Sequence, residues 1–141
     1  MSTIKIATSS EQIASCWDVV FALRPHLTKE KFIAMVPEMQ SNEGYTIAYI
    51  EEDKRTVAFA GFRRLQKLYS GKTIYIDDLS TLPEYRQKGY GHILLNYIID
   101  LAKKENLDLV DLDSGPTRHD AHRLYLNTGF VISSHHFSMK L

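Results

Sequence analysis

RQKGYGHILLNYII, residues 86–99, places two glycines and two cationic side chains directly before a long apolar segment. The apolar residues that follow Gly91 leave only a narrow polar stripe, which predicts a helix over 91–105 packed against a sheet. Glycine costs a helix about 0.5–1 kcal/mol relative to alanine, so Gly89 and Gly91 need a reason at this position. A helix N-terminus leaves backbone N–H groups unpaired, and a bare glycine backbone lets a phosphate approach them. The stretch therefore predicts either an anion-binding loop or a tight turn with exposed cations.

The segments around this stretch predict a mixed α/β fold. Three β-branched and aromatic segments are separated by breaks around Asp53 and Gly71, a pattern typical of antiparallel hairpins. The order of elements is β-α-α-β-β-β-α-β-α-β, which indicates a mixed, mostly antiparallel sheet of six or seven strands flanked by helices. The predicted strands cover 4–7, 45–52, 55–64, 72–81, 107–114 and 130–141, and the helices cover 9–24 with a cap at Ser9 or Ser10, 28–40 with an end or kink at Pro37, 91–105 with an end at Asn106, and 118–129.

Composition limits the kinds of protein that this sequence can encode. With 141 residues, of which 44% are apolar, the chain suits one domain over 1–141. Seventeen basic and seventeen acidic residues cancel, so no global field favours nucleic acid or an anionic membrane. The sequence has no leader pattern and no membrane-spanning apolar run, so we expect a cytoplasmic protein. Cys16 is the only cysteine, which excludes an internal disulfide and favours a buried thiol.

Two motifs resemble those of the GNAT N-acetyltransferases. DLSTLPEYRQKGYGHILLNYI, residues 78–98, resembles motif A of that family, in which an R/Q-x-x-G-x-G/A loop holds the pyrophosphate of acetyl-CoA. AHRLYLNTGF, residues 121–130, is similar to motif B, in which an alanine and a tyrosine precede a glycine and an aromatic residue. One departure is Arg118, which stands where the family often has asparagine.

The resemblance implies a GNAT fold and an acetyl-CoA-dependent N-acetyltransferase that acts on a primary amine of a small molecule or peptide by direct attack. The alternative is a catalytically weak or inactive CoA-binding sensor or scaffold of the same fold. Acetyl-CoA is the expected cosubstrate, with its pantetheine arm along the strand before the loop. The expected cofactor-binding residues are Leu79, Ser80, Thr81, Arg86, Gln87, Lys88, Gly89, Tyr90 and Gly91.

Tyr125 is the candidate acid for the departing thiolate, because a phenol with a pKa near 10 stays protonated at neutral pH. The alternative is a core tyrosine at helical spacing.

Asp77 and Asp78 are candidates for the general base. Neighbouring residues of a regular strand face opposite sides, so one acid would be buried beneath a helix unless a bulge turns it. We therefore expect a bulge at this point. IYIDDLSTLPEYRQKGYG is also similar to diamine acetyltransferases, in which an acid at the place of Asp77 is the base. The alternatives are binding of the substrate ammonium, or a surface acid pair.

The remaining polar residues leave the acceptor open. The combination of AGFR, YIDDL, LDSG, AHRLY and HHF resembles small single-domain bacterial GNAT proteins, which adds His136 as a candidate site residue. The histidine spacings lack further soft ligands, so we expect no metal. The two acids suit a cationic amine, whereas Arg24, His26, Arg118 and His119 suit a carboxylate or the CoA 3′-phosphate. We expect no nucleic-acid or membrane partner, and a homodimer is left open.

Overall fold

The computed structural model describes residues 3–141 and has a mixed α/β fold, as predicted. These residues form two compact units, one that ends at Asp111 and one from Leu112 to Leu141. The prediction of one domain over 1–141 stays a prediction. The elements are β1 (Ile4–Ile6), α1 (Ser10–Ser15), α2 (Trp17–Leu23), α3 (Lys29–Glu43), β2 (Thr46–Glu52), β3 (Arg55–Lys67), β4 (Gly71–Thr81), a 3-10 turn (Pro83–Tyr85), α4 (Tyr90–Lys104), β5 (Leu109–Leu112) and α5 (His119–Thr128).

The strands form one sheet in the order β1-β2-β3-β4-β5, and the pairs from β1 to β4 are antiparallel. Both predicted hairpins are present. Asp53 and Lys54 have φ values of 52° and 65°, the left-handed pair that a two-residue hairpin turn requires. Gly71, with φ 77°, begins β4 after the second turn. The turn residues therefore set the register that brings β3 and β4 together.

Helix α4 covers the sheet as predicted and packs against β2, β3 and β4. Leu94, Leu95 and Ile98 are fully buried on its inner face. Asn106 follows the helix with φ 57°, and the N–H of Leu107 donates to the carbonyl of Ala102 at 3.0 Å. This is the left-handed ending that the sequence predicts, and it fixes the length of the helix.

The predicted helix over 9–24 is wrong in one respect, because it is broken at Cys16 into α1 and α2. The Ser15 hydroxyl donates to the carbonyl of Gln12 at 2.6 Å, and the Cys16 thiol donates to the same oxygen. That oxygen is the acceptor which a continuous helix would offer to the N–H of Cys16. The N–H bonds to the carbonyl of Ile13 instead, at 3.1 Å. Competition from these side chains therefore breaks the helix.

Other details of the N-terminal helices refine the predictions. Ser9, rather than Ser10, caps α1 through a reciprocal bond with Gln12. Cys16 is fully buried, as expected, and burial raises the pKa of its thiol to about 12. Helix α3 continues through Pro37 to Glu43, and Gly44 caps its C-terminus, so the predicted end at Pro37 is excluded.

The predicted strand over 130–141 is wrong, and the sheet has five strands rather than six or seven among the described residues. The segment has β-branched and aromatic residues, but Val131 and Phe137 are 77% and 89% exposed. A strand is stabilised by a paired neighbour and by burial of one face. This segment has neither a ladder partner nor a buried face, so its side-chain preferences alone do not produce a strand.

Over the described part of the chain, every helix is too short or too polar to span a lipid bilayer.

Candidate active site

Strand β4 carries the expected bulge at the acid pair. Gly61 on β3 is opposite Asp78, while the next residue, Phe62, is opposite Ile76, so Asp77 is an extra residue on β4. A bulge bends the strand and changes the direction of its side chains. Asp77 and Asp78 consequently line the same cavity instead of facing opposite sides of the sheet.

Each of these aspartates is paired with an arginine. Arg63, on the neighbouring β3, donates two bonds to Asp77, from Nε to Oδ1 at 3.0 Å and from Nη2 to Oδ2 at 2.7 Å. Arg24, which follows α2, donates from Nε to Asp78 Oδ1 at 3.0 Å and from Nη2 to the carbonyl of Asp77 at 2.9 Å. Paired and half-buried carboxylates of this kind are held in fixed orientations.

Tyr45 completes the cluster and was missed by the sequence analysis. Its hydroxyl donates to Asp78 Oδ2 at 2.6 Å, and its ring lies beneath the Arg63 guanidinium, 5.4 Å from ring centroid to Cζ. Gly61 makes room for this contact, because a Cβ there would lie 1.9 Å from the Tyr45 hydroxyl oxygen. The glycine in the AGFR segment is a signal for such a close approach, but only the register shows which side chain uses the space.

Burial changes the protonation of this cluster. It raises the pKa of Asp77 above the ordinary value, against the lowering effect of the Arg63 bonds. Burial, together with the charge of Asp78, raises the pKa of Tyr45 well above 10, so the phenol stays a donor at neutral pH. The site thus holds one carboxyl whose pKa is shifted toward proton uptake and one that is fixed by a neutral phenol and a guanidinium.

The cavity beside the acid pair has a volume of about 420 Å³, which is the size of a small-molecule site. Residues from α2, α3 and the sheet line it, and most of them are apolar or aromatic. The lining residues are Val20, Arg24, His26, Leu27, Phe32, Met35, Val36, Met39, Tyr45, Phe59, Tyr75, Asp77 and Asp78.

The glycine loop leads into the N-terminus of α4 through a left-handed backbone. Gln87 and Gly89 have φ values of 64° and 86°, and Gly89 caps α4 without any side-chain hydrogen bond. The N–H groups of Gly91 and His92, in the first turn of α4, have no acceptor within the helix. A Cβ at Gly89 would meet no other atom within 4 Å, so the space in front of this backbone is open.

Side chains fix the same loop to the rest of the unit. Tyr90 donates its hydroxyl to Glu52 at the end of β2, and Lys88 Nζ lies 3.6 Å from the same carboxylate. Arg86 Nε donates to the carbonyl of Thr81 at 3.3 Å. Glu52 was not predicted as a site residue, and it partly neutralises a lysine that the sequence analysis assigned to phosphate.

The end of β4 leaves one edge uncovered by β5. Leu79, Ser80 and Thr81 are opposite Ala60, Phe59 and Ala58 of β3. On the other edge of β4, the N–H of Asp108 donates to the carbonyl of Lys72. Strand β5 follows with only four residues, so it extends along β4 no further than about Ile76. An extended ligand could therefore add alongside residues 79–81 as a further strand.

The second unit contains the other two predicted site residues. Tyr125, on α5, is buried, and its ring centroid lies 6.0 Å from that of Phe130. His136 Nδ1 lies 3.5 Å from Asp113 Oδ1. Tyr125 and His136 both line a cavity of about 610 Å³ within this unit. Burial raises the pKa of Tyr125, whereas the charge of Arg118 opposes the shift, so the phenol is protonated at neutral pH.

Among residues 3–141, no three histidine, cysteine or acidic side chains lie close enough together to hold a metal ion.

Comparison with known proteins identifies the family. The model of the Acetyltransferase (GNAT) family matches residues 11–130, which is most of the chain. The chain belongs to the GNAT acetyltransferase family. It is therefore an acetyl-CoA-dependent acyltransferase, as the two sequence motifs implied. The uncharacterized N-acetyltransferase YhdJ of Bacillus subtilis (strain 168) is 34% identical over 138 residues, which cover 97% of each chain.

Solved structures confirm the fold. An aminoglycoside N-acetyltransferase, AAC(6')-Iy in complex with CoA, has a TM-score of 0.82 at 14% identity and covers 100% of this chain and 96% of its own. Glucosamine-6-phosphate N-acetyltransferase from Arabidopsis thaliana has a TM-score of 0.77 at 21% identity and covers 98% of each chain. At these identities the likeness extends to the GNAT fold and not to the acceptor.

Proposed function

We propose that this GNAT protein transfers the acetyl group of acetyl-CoA to a primary amine, which attacks the thioester directly. The observation that carries the proposal is the bulged acid pair of β4, which lines a cavity just before the strand segment and loop expected to bind the cosubstrate. An amine in this cavity would lie near a carboxyl that can accept its proton.

The cosubstrate is expected to bind through backbone groups. The N–H groups of Gly89, Gly91 and His92, at the positive end of α4, suit the pyrophosphate, and Arg86 and Lys88 add positive charge. The uncovered edge at Leu79, Ser80 and Thr81 suits the amide groups of pantetheine, and the Leu79 N–H is our candidate to polarise the thioester carbonyl. Gln87, with its left-handed backbone, and Tyr90, whose hydroxyl donates to Glu52, complete the proposed cofactor-binding loop.

Asp77 is our candidate for the base. Its raised pKa brings it nearer to the pKa of an amine than an ordinary aspartate, and its bonds from Arg63 fix its orientation. Asp78, held by Tyr45 and Arg24, is our candidate for positioning the ammonium group. Ordered water or His136 would take over the proton if neither acid does.

Tyr125 is our candidate donor to the departing thiolate. Burial keeps its phenol protonated, so it can donate at neutral pH. Full proton transfer from a phenol near pKa 10 to a thiolate near 8.5 is uphill by about 2 kcal/mol, so a strong hydrogen bond to the sulfur is the expected contribution.

The test follows amine-dependent release of free CoA thiol as a function of pH in wild type, Asp77→Asn and Asp78→Asn. Because the pKa of Asp77 is raised, wild-type activity should begin to fall, as the pH is lowered, at a higher pH than an ordinary aspartate would cause. Asp77→Asn should reduce the rate about 100-fold or more and remove this acidic limb, whereas Asp78→Asn should mainly raise the amine KM.

Melting curves come first, because either change removes the carboxylate of a part-buried ion pair, Asp77 with Arg63 or Asp78 with Arg24. If both folded variants retain the full pH profile, neither aspartate is the base. If acetyl-CoA binds but no amine promotes thiol release, the chain is the CoA-binding sensor rather than the enzyme that we propose.

A further inference from the structure

Both carboxylates of the acid cavity are already paired within the protein. Asp77 pairs with Arg63, whose Nη2 lies 2.7 Å from Oδ2, and Asp78 pairs with Arg24, whose Nη2 lies 2.9 Å from Oδ1. Of these four groups, Arg24, Asp77 and Asp78 line the cavity, and their formal charges sum to one negative charge, whereas Arg63 does not line it and also bonds to Glu43. Asp78 also accepts the bond from Tyr45. One ammonium group balances this single negative charge, whereas a further cationic centre would find no unpaired carboxylate here and would lie near the Arg24 guanidinium.

The remaining wall of the cavity is apolar. Leu27, Phe32, Met35 and Met39 line one side, and Tyr75 contributes an aromatic ring from β4. Met35 is 43% exposed, so part of its side chain is open to a ligand in the cavity. Methionine adapts its shape to an apolar ligand, and a cavity of about 420 Å³ accommodates a small one.

His26 is a further basic side chain in the lining, and it adds no negative charge. Glu43 bonds to Arg63 but does not line the cavity, and its side chain is more than half exposed. Nothing in the described lining therefore offers a second cationic centre a partner of its own.

From this arrangement we infer that the acceptor is a small monoamine carried on an apolar or aromatic body, and not a polyamine. The inference rests on the proposed amine acetyl transfer. The single ammonium group lies at the polar end, beside Asp77 and Asp78, and the body packs against Met35, Met39 and Phe32. The local similarity to diamine acetyltransferases concerns the strand and loop, whereas the arginines that pair with the two acids leave only one negative charge for the acceptor.

The experiment compares kcat/KM for three amines at constant ionic strength, with free CoA thiol as the readout. Phenethylamine has one amine and an aromatic body, ethanolamine has one amine without such a body, and spermidine has several amines. Phenethylamine should exceed both of the others by about tenfold or more. A value for spermidine or ethanolamine that equals or exceeds it overturns the inference while leaving acetyl transfer intact. If acetyl-CoA binds and none of the three amines promotes thiol release, the inference is overturned as well.

A carboxylate introduced into the apolar wall tests whether a polyamine is disfavoured because its second cationic centre has no partner there. Met35→Glu places an additional carboxylate in the cavity wall and keeps a good helix former on α3. It should reduce the ratio of the phenethylamine to the spermidine kcat/KM by about tenfold or more. Leu68→Glu, at a fully exposed position in the β3–β4 turn, is the matched control and should leave the ratio unchanged. An unchanged ratio in folded Met35→Glu, or an equal shift in the control, contradicts the inference.

Discussion

Among single residues, Gly89 and Gly44 have similar backbone conformations but lie at opposite kinds of helix end. Both are left-handed, with φ values of 86° and 66°, and a Cβ at either would meet no atom within 4 Å. Gly44 ends α3, whereas Gly89 begins α4 in the loop that we assign to pyrophosphate. A side chain therefore has the same intrinsic backbone cost at both positions, and only one of the positions faces the proposed ligand.

Replacement of each glycine by leucine separates these effects. Gly89→Leu and Gly44→Leu should each lower the free energy of unfolding by about 1–2 kcal/mol, which is the cost of a left-handed non-glycine residue. Gly89→Leu should also weaken acetyl-CoA binding at least about tenfold, because the side chain occupies the space in front of the helix N-terminus. Calorimetric titration of both variants measures this. Equal acetyl-CoA affinities in the two variants would remove the loop from the binding site.

Individual residues were predictable from the sequence where a local rule applied. The glycine loop required an unusual backbone, and adjacent aspartates in a strand required a bulge, so both features were expected. Arg63, Tyr45 and Glu52 were not, because each reaches its site from a part of the chain distant in sequence: Arg63 from β3, Glu52 from the end of β2, and Tyr45 from just before β2. Their roles depend on the register between strands, which a single sequence does not specify.

At the scale of elements, the contact between β3 and β4 shapes the acid pair. Gly61 lies opposite Asp78, and the Tyr45 hydroxyl passes over it to reach Asp78 Oδ2 at 2.6 Å. A Cβ at position 61 would be 1.9 Å from the Tyr45 hydroxyl oxygen and 2.7 Å from Asp78 Oδ2. Neither atom is the free end of a flexible chain, so a methyl group there must displace the hydrogen bond.

A double-mutant cycle tests this contact. Gly61→Ala should cost about 1–3 kcal/mol of unfolding free energy through overpacking. Tyr45→Phe should cost about 1.5–3 kcal/mol, because it removes a hydrogen bond to a charged group. In the Gly61→Ala background, Tyr45→Phe should cost at least about 1 kcal/mol less, since the bond is already displaced. Denaturant unfolding of the four proteins gives the coupling. Costs that add to within about 0.5 kcal/mol would show that the glycine does not serve this bond.

Elements were predictable where turn and helix-end chemistry was clear. Asp53, Gly71 and Asn106 each marked a turn or helix end that the structure contains. The break at Cys16 was not predictable, because it depends on side chains competing for one carbonyl. The segment over 130–141 has strand-like residues, but a strand requires a partner, which residue preferences do not reveal.

At the scale of the whole molecule, family membership fixes the reaction class and leaves the chemical route as our proposal. Direct attack requires acetyl-CoA and the amine to be bound together. Cys16 is the residue best suited by chemistry to form an acetyl-enzyme, but it is fully buried and its pKa is about 12, so it is an inert thiol at neutral pH. Proton uptake by Asp77 likewise needs the amine present during transfer.

The most direct measurement is therefore the initial rate of CoA thiol release with acetyl-CoA and a primary amine varied together. Direct transfer predicts release that depends on the amine and double-reciprocal lines that intersect, because both substrates must bind before chemistry. Parallel lines would indicate a covalent acetyl-enzyme. Parallel lines, or thiol release that does not depend on the amine, would contradict the account.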